Sequence, residues 1–124
     1  MTDKKAKILI VEDEKPLAKA LTYKLLKSNF KVESVYDGQE GLDYIDKEDV
    51  DLVILDLMMP KMDGFTFLKK LKDMDKKVPV IVASNLGQKK DVEEAKALGA
   101  VDYIVKSDTP LSAIVDRIQL YLKD

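Results

Sequence analysis

Residues 51–64 read DLVILDLMMPKMDG. Four apolar residues, Leu52, Val53, Ile54 and Leu55, run straight into Asp56, and Leu57, Met58, Met59 and Pro60 follow it. An apolar run that does not alternate reads as a strand covered on both faces, the pattern of a parallel sheet flanked by helices. A carboxylate inside such a run costs desolvation energy unless it is paired, protonated or at the open end of the element. The segment therefore predicts a buried central strand with Asp56 at its open end, where its charge can be offset.

Working outward, four more runs of strand length appear: ILIV at 8–11, a weaker VESV at 32–35, VPVIVA at 78–83 and YIV at 103–105. The segments between them carry helical spacing, as in Leu17, Leu21 and Leu25, or Leu111, Ile114, Val115, Ile118 and Leu122. The order is β-α five times over: a doubly wound five-stranded parallel sheet, helices on both faces, with right-handed crossovers. VESV alternates poorly and suits an edge strand.

Punctuation supports the partition. Pro16 and Pro110 sit where a first helical turn begins, with Thr109 expected as an N-cap. Asn29 and Gly99 sit where a left-handed residue ends a helix. Gly41 falls inside the second helical segment, which is expected to be short or frayed, because glycine costs roughly 0.5–1 kcal/mol there relative to alanine.

Composition limits the chemistry. The 124 residues suit one domain, and 46% hydrophobic with 35% charged residues is the balance of an ordinary globular protein. A formal net charge of −2 offers no bulk attraction to nucleic acid or anionic lipid. With Cys 0 and His 0 there is no disulfide, no thiolate nucleophile, no imidazole proton shuttle and no zinc site built on sulfur or imidazole. Reactive chemistry must use carboxylates, hydroxyls and amines. The start, MTDKKAKILIVEDE, lacks the long apolar core of a signal peptide, and no apolar run reaches the roughly 18 residues of a membrane span. A cytoplasmic location is the expectation.

Ligands of open parallel sheets bind beyond the carboxyl ends of the strands. Glu12 and Asp13 follow the first run, Asp56 the third, Ser84 and Asn85 the fourth, and Lys106 the fifth. An acid at a strand end is ordinary by itself, since chains turn polar as they leave a sheet. The combination is not ordinary. Crowded carboxylates repel unless one is protonated or a cation neutralises them, and an all-oxygen set favours a hard ion such as Mg2+. Lysine adds a compact positive charge and serine a neutral donor. Carboxylates, magnesium and lysine describe a site for a phosphoryl group, with a carboxylate able to act as nucleophile.

The motifs ILIVED, DLVILDLMMPKMDG, VIVAS and GAVDYIVK resemble the receiver domain of two-component response regulators, over essentially the whole chain. The resemblance implies a flavodoxin-like fold of strand order 2-1-3-4-5, a single receiver domain over 1–124, and an aspartyl-phosphate on Asp56. It implies magnesium held by Asp13, Asp56 and the main-chain carbonyl of Met58, with Glu12 acting through a water. Lys106 matches the lysine that pairs with the phosphoryl group or Asp56, Ser84 the hydroxyl switch residue, and Tyr103 the aromatic that turns inward in response. The implied phosphodonor is a sensor histidine kinase or phosphotransfer protein. The implied output surface is the fourth helix, fifth strand and fifth helix, including Lys89, Lys90, Glu93, Tyr103, Arg117 and Tyr121, which would bind a downstream protein. Such a domain catalyses only its own phosphorylation and dephosphorylation.

Departures from the pattern carry expectations of their own. Ser107 follows Lys106 where proline is common, which removes the usual reason for a cis peptide. Asn85 is larger than the residue usual after the switch hydroxyl. Met58 and Leu86 stand at positions that tune dephosphorylation, and two apolar residues would hold an attacking water poorly, so loss of phosphate should be slow. Lys89 or Lys90, Asp102 and Arg117 are similar to the residues of receivers that dimerise through salt bridges, but Val101 replaces an acid common beside that aspartate. A monomer or a weak phosphorylation-dependent dimer is expected. Two other readings stand beside this one: a pseudo-receiver that binds partners without phosphorylation, and a small aspartate-nucleophile phosphatase. The first is characterised by loss of an acid or the lysine, and all are present. The second has an acid two residues after its nucleophile, where Met58 stands here.

Overall fold

The computed structural model describes residues 5–122. Its elements run β1 (Lys7–Val11), α1 (Lys15–Lys27), β2 (Lys31–Val35), α2 (Gly38–Lys47), β3 (Leu52–Leu55) and α3 (Gly64–Asp73). Then come β4 (Val80–Ser84), α4 (Lys89–Ala97), β5 (Asp102–Val105), a 3-10 turn (Lys106–Asp108) and α5 (Leu111–Leu122). All strand pairs are parallel, and the order is β2-β1-β3-β4-β5. The alternation of strand and helix predicts such a parallel sheet, and the order is the flavodoxin-like one that the receiver resemblance implies.

β3 coincides with LVIL, and all of its side chains are buried. Burying a side chain of this size contributes roughly 1.5–3 kcal/mol, so the run anchors the sheet. Its side chains alternate between two cores. Val53 and Leu55 join Leu9 and Val11 under α2, α3 and α4, while Leu52 and Ile54 join Ile8 and Ile10 under α1 and α5. β2 is an edge strand and none of its residues is fully buried, in keeping with its weak pattern.

Local details correct three expectations. β4 starts at Val80, later than VPVIVA suggests, because Pro79 has no N–H for the ladder; its carbonyl still accepts the N–H of Val53 at 3.0 Å. The strand runs on through Ser84, which is thus held in the sheet. Gly41 neither shortens nor frays α2. A Cβ at this position would stand 3.0 Å from both the Phe67 ring and Val11 Cγ2, two buried side chains, so the glycine lets α2 lie close against β1 and α3. The helix is capped by Asp37, which accepts the N–H of Glu40 at 2.9 Å, while Glu40 Oε1 accepts the N–H of Tyr36 at 2.8 Å.

Thr109 is not the N-cap of α5. Its hydroxyl donates to the Val105 carbonyl at 2.9 Å, which the 3-10 turn beginning at Lys106 brings within reach. The carbonyl of Pro110 accepts from Ala113 at 3.0 Å and Ile114 at 3.3 Å, so the chain enters α5 at Pro110. Pro16 does lie in the first turn of α1, and Asn29 (φ 74°) and Gly99 (φ 112°) follow α1 and α4 in left-handed conformations.

Candidate functional site

The strand order reverses between β1 and β3, and the crevice of a sheet wound this way lies beyond the carboxyl ends at that point. Val11 and Leu55 are register partners, so Glu12, Asp13 and Asp56 leave the sheet side by side. Two main-chain bonds hold them there: Asp56 N–H donates to the Val11 carbonyl at 3.0 Å and Glu12 N–H to the Val35 carbonyl at 3.1 Å. One carboxylate oxygen from each of Glu12, Asp13 and Asp56 lies within 4.8 Å of the others. Glu12 and Asp56 are only 5% and 4% exposed, and Asp13 is half-buried.

Lys106 reaches this cluster from the end of β5. Its Nζ lies 2.9 Å from Glu12 Oε1, 3.4 Å from Glu14 Oε1 and 3.5 Å from Asp56 Oδ2. One ammonium does not balance so many acids. Burial pushes the Glu12 carboxyl up to about 7, with Lys106 opposing and the Asp56 charge reinforcing the rise. Asp56 is raised above the ordinary carboxylate range by burial, against the pull of Lys106 and the Met58 N–H. Burial works against the Lys106 charge, but Glu12, Asp56 and Glu14 outweigh it and hold the ammonium protonated more firmly than usual. Buried, under-compensated oxygen donors fit a small divalent cation of the Mg2+ class.

The loop after Asp56 is built around Gly64. Its N–H donates to the Leu57 carbonyl at 2.9 Å, closing the turn. A Cβ on Gly64 would lie 2.7 Å from Leu57 Cα and 2.8 Å from the Asp56 carbonyl oxygen, so only glycine fits beside the backbone of the acid. Asp63 caps α3 by accepting the N–H of Thr66 at 2.9 Å. Within the loop the Met58 N–H donates to Asp56 Oδ1 at 3.2 Å, which seats that peptide against the acid while the Met58 side chain faces solvent.

Ser84 is fully buried at the end of β4, and its Oγ accepts the N–H of Leu86 at 3.2 Å. The carbonyl of the same Leu86 accepts the Tyr103 hydroxyl. Serine and tyrosine are therefore joined through one residue of the β4–α4 loop, and Asn85 beside them is exposed. Farther out, Arg117 donates to Asp102 and the Tyr121 hydroxyl donates to the Val101 carbonyl at 3.0 Å. Asp102 and Arg117 are thus paired within one chain, and Lys89, Lys90 and Glu93 are exposed on α4. No cis peptide occurs among the described residues, as the serine after Lys106 leads one to expect.

The structure brings Glu12, Asp13, Asp56 and Lys106 to one place, and links Ser84 and Tyr103 to each other beside it. Sequence reasoning passed over Glu14, the third acid on Lys106. The run of three acids after β1 is the signal that could have raised it.

The profile of the family described as response regulator receiver domain matches residues 8–119. The chain belongs to that family. Among curated relatives of this receiver domain, the regulatory protein VanRc of Enterococcus gallinarum is 37% identical over 117 residues, covering 94% of this chain and 50% of that protein. The response regulator ArlR of Staphylococcus aureus is 40% identical over 116 residues, covering 94% and 52%. The chain thus spans about half the length of the curated relatives it matches. Among solved structures, chemotaxis protein CheY4 of Vibrio cholerae is 28% identical with a TM-score of 0.87, covering 96% of this receiver domain and 100% of that chain. The receiver domain of Francisella response regulator 1452 is also 28% identical, with a TM-score of 0.88 and coverage of 94% and 95%.

Proposed function

We propose that this receiver domain accepts a phosphoryl group on Asp56 from the phosphohistidine of a sensor histidine kinase or a phosphotransfer protein. The observation that carries the reading is the buried Asp56 carboxylate, 3.5 Å from Lys106 and within 4.8 Å of oxygens from Glu12 and Asp13. In the transfer, an Asp56 oxygen attacks phosphorus in line. The phosphorus–oxygen bond forms as the phosphorus–nitrogen bond breaks, and the imidazole leaves with the electron pair. Lys106 keeps Asp56 ionised and then pairs with the arriving phosphoryl oxygens. Ser84 offers a hydroxyl to the same group. Glu12, Asp13, Asp56 and the main-chain carbonyl of Met58 would hold Mg2+, which when bound neutralises charge on the transferring group.

The signal leaves along the Ser84–Leu86–Tyr103 link. A shift of Ser84 toward the phosphoryl group moves the loop residue whose carbonyl holds Tyr103, and biases the conformations of α4, β5 and α5. That surface binds a downstream protein, and the net charge of −2 gives the domain no pull on nucleic acid. The reading places the domain in the cytoplasm with its phosphodonor, as a monomer or a weak phosphorylation-dependent dimer. It turns over only its own phosphoryl group.

The test is incubation with Mg2+ and acetyl phosphate, followed by intact mass measurement. The expected result is a gain of one phosphoryl group that vanishes in Asp56→Asn. No gain favours a pseudo-receiver, and continuous phosphate release from unrelated phosphomonoesters favours a phosphatase.

A further inference from the structure

We propose that Glu14 is a positioning residue for Lys106, an exchangeable partner that holds the ammonium back from Asp56 until a phosphoryl group arrives. The inference rests on the phosphoacceptor reading of Asp56.

Glu14 occupies the N-cap position of α1, where its carbonyl accepts the N–H of Ala18 at 3.0 Å. Its side chain makes no cap hydrogen bond. Serine, threonine, asparagine or aspartate at that position would satisfy a free helix N–H, and glutamate forgoes this. The side chain reaches across the crevice instead, placing Oε1 3.4 Å from Lys106 Nζ. Its main chain serves the same group from the other side, since the Glu14 N–H donates to Glu12 Oε2 at 3.1 Å. Glu14 therefore contacts both members of the Lys106–Glu12 pair.

Burial decides which of the lysine's partners can be released. The Glu12 and Asp56 side chains are 6% and 4% exposed, and either would be left as a buried unpaired charge if the ammonium moved away. The Glu14 side chain is 60% exposed, so water replaces the lysine at little cost. Lys106 borders a small cavity of about 40 Å3, lined in part by Leu17, Ala18, Leu21 and Ile114. The three carboxylates around Nζ set where it rests. A phosphoryl group on Asp56 has to draw Nζ from Glu14, and the carboxylate acts as a brake on the forward step.

Three variants separate this role from a plain structural or charge effect. Phosphorylation by acetyl phosphate with Mg2+ is followed over time by intact mass, alongside thermal melting. Glu14→Gln keeps the shape and removes the charge. Glu14→Asp keeps the charge, restores a good cap, and is too short to hold Nζ. Both are expected to raise the phosphorylation rate constant about two- to five-fold, the range an exposed ion pair supplies. In a Lys106→Gln background, Glu14→Gln should change the rate by less than half that factor. Equal rates in wild type and Glu14→Gln overturn the proposal. So does a Glu14→Asp rate equal to wild type beside a faster Glu14→Gln, which would assign the effect to bulk repulsion of the donor. A melting temperature raised in Glu14→Asp with unchanged rates would reduce Glu14 to an imperfect cap. Wild type that gains no phosphoryl group overturns the underlying reading and this inference with it.

Discussion

The ammonium of Lys106, delivered from the end of β5, lies 3.5 Å from the Asp56 carboxylate at the end of β3, across the intervening β4. The same nitrogen lies 2.9 Å from buried Glu12. One cation thus stabilises two carboxylates that the core would otherwise force to protonate. Lys106→Met removes it. In metal-free protein at pH 8 the expected loss in urea unfolding is on the order of 3 kcal/mol, the cost of leaving a buried charge unpartnered. At pH 5.5 the loss should shrink, because Glu12, whose carboxyl burial pushes up to about 7, then takes up a proton. An equal loss at both pH values would mean that the lysine does not support these acids.

The pH dependence of the metal-free protein follows from Glu12. Its carboxyl titrates near 7 when folded, against an ordinary value of 4.5, so the folded state binds more protons between those limits. The stability gained from the raised group is complete below about 4.5 and is lost as pH rises through about 7. The thermal midpoint should therefore fall from pH 5 to pH 8 without metal, and Glu12→Gln should flatten that slope. Mg2+ should restore stability more at pH 8 than at pH 5, where protons compete for its ligands.

Gly64→Ala places a methyl group 2.7 Å from Leu57 Cα and 2.8 Å from the Asp56 carbonyl oxygen. Main-chain atoms on a buried strand end cannot move aside alone, so the loop must shift and carry Asp56 with it. A loss of about 1–3 kcal/mol is expected, with a slower acetyl phosphate reaction. Unchanged urea midpoint and rate would show the loop to be looser than its geometry.

The aspartyl-phosphate should persist for minutes or longer in the isolated domain. Met58 is 56% exposed and Leu86 half-buried, and neither offers a hydrogen bond to an attacking water. Met58→Asn with Leu86→Glu should shorten the half-life several-fold, as followed by loss of the mass increment. A half-life of seconds in the wild type would contradict this.

Much of the fold was legible because burial writes itself into composition. LVIL has no alternation since β3 is covered on both faces, and VESV is mixed since β2 is an edge. The acids and Lys106 could be placed because strand ends converge in a parallel sheet once the order is known. What escaped reading depends on tertiary distance. Gly41 looked like a helix defect until Phe67 and Val11 were found against it. Thr109 looked like a cap until the 3-10 turn offered it the Val105 carbonyl. Glu14 was passed over because its partner lies 92 residues away in sequence.

The central claim is that Asp56 is the group that becomes phosphorylated. Treatment with Mg2+ and acetyl phosphate, then borohydride reduction and peptide sequencing by mass spectrometry, reads this directly, since an aspartyl-phosphate is reduced to homoserine. The account predicts homoserine at residue 56 and at no other acid. Reduction at Asp13, or an unmodified Asp56 peptide, would contradict it.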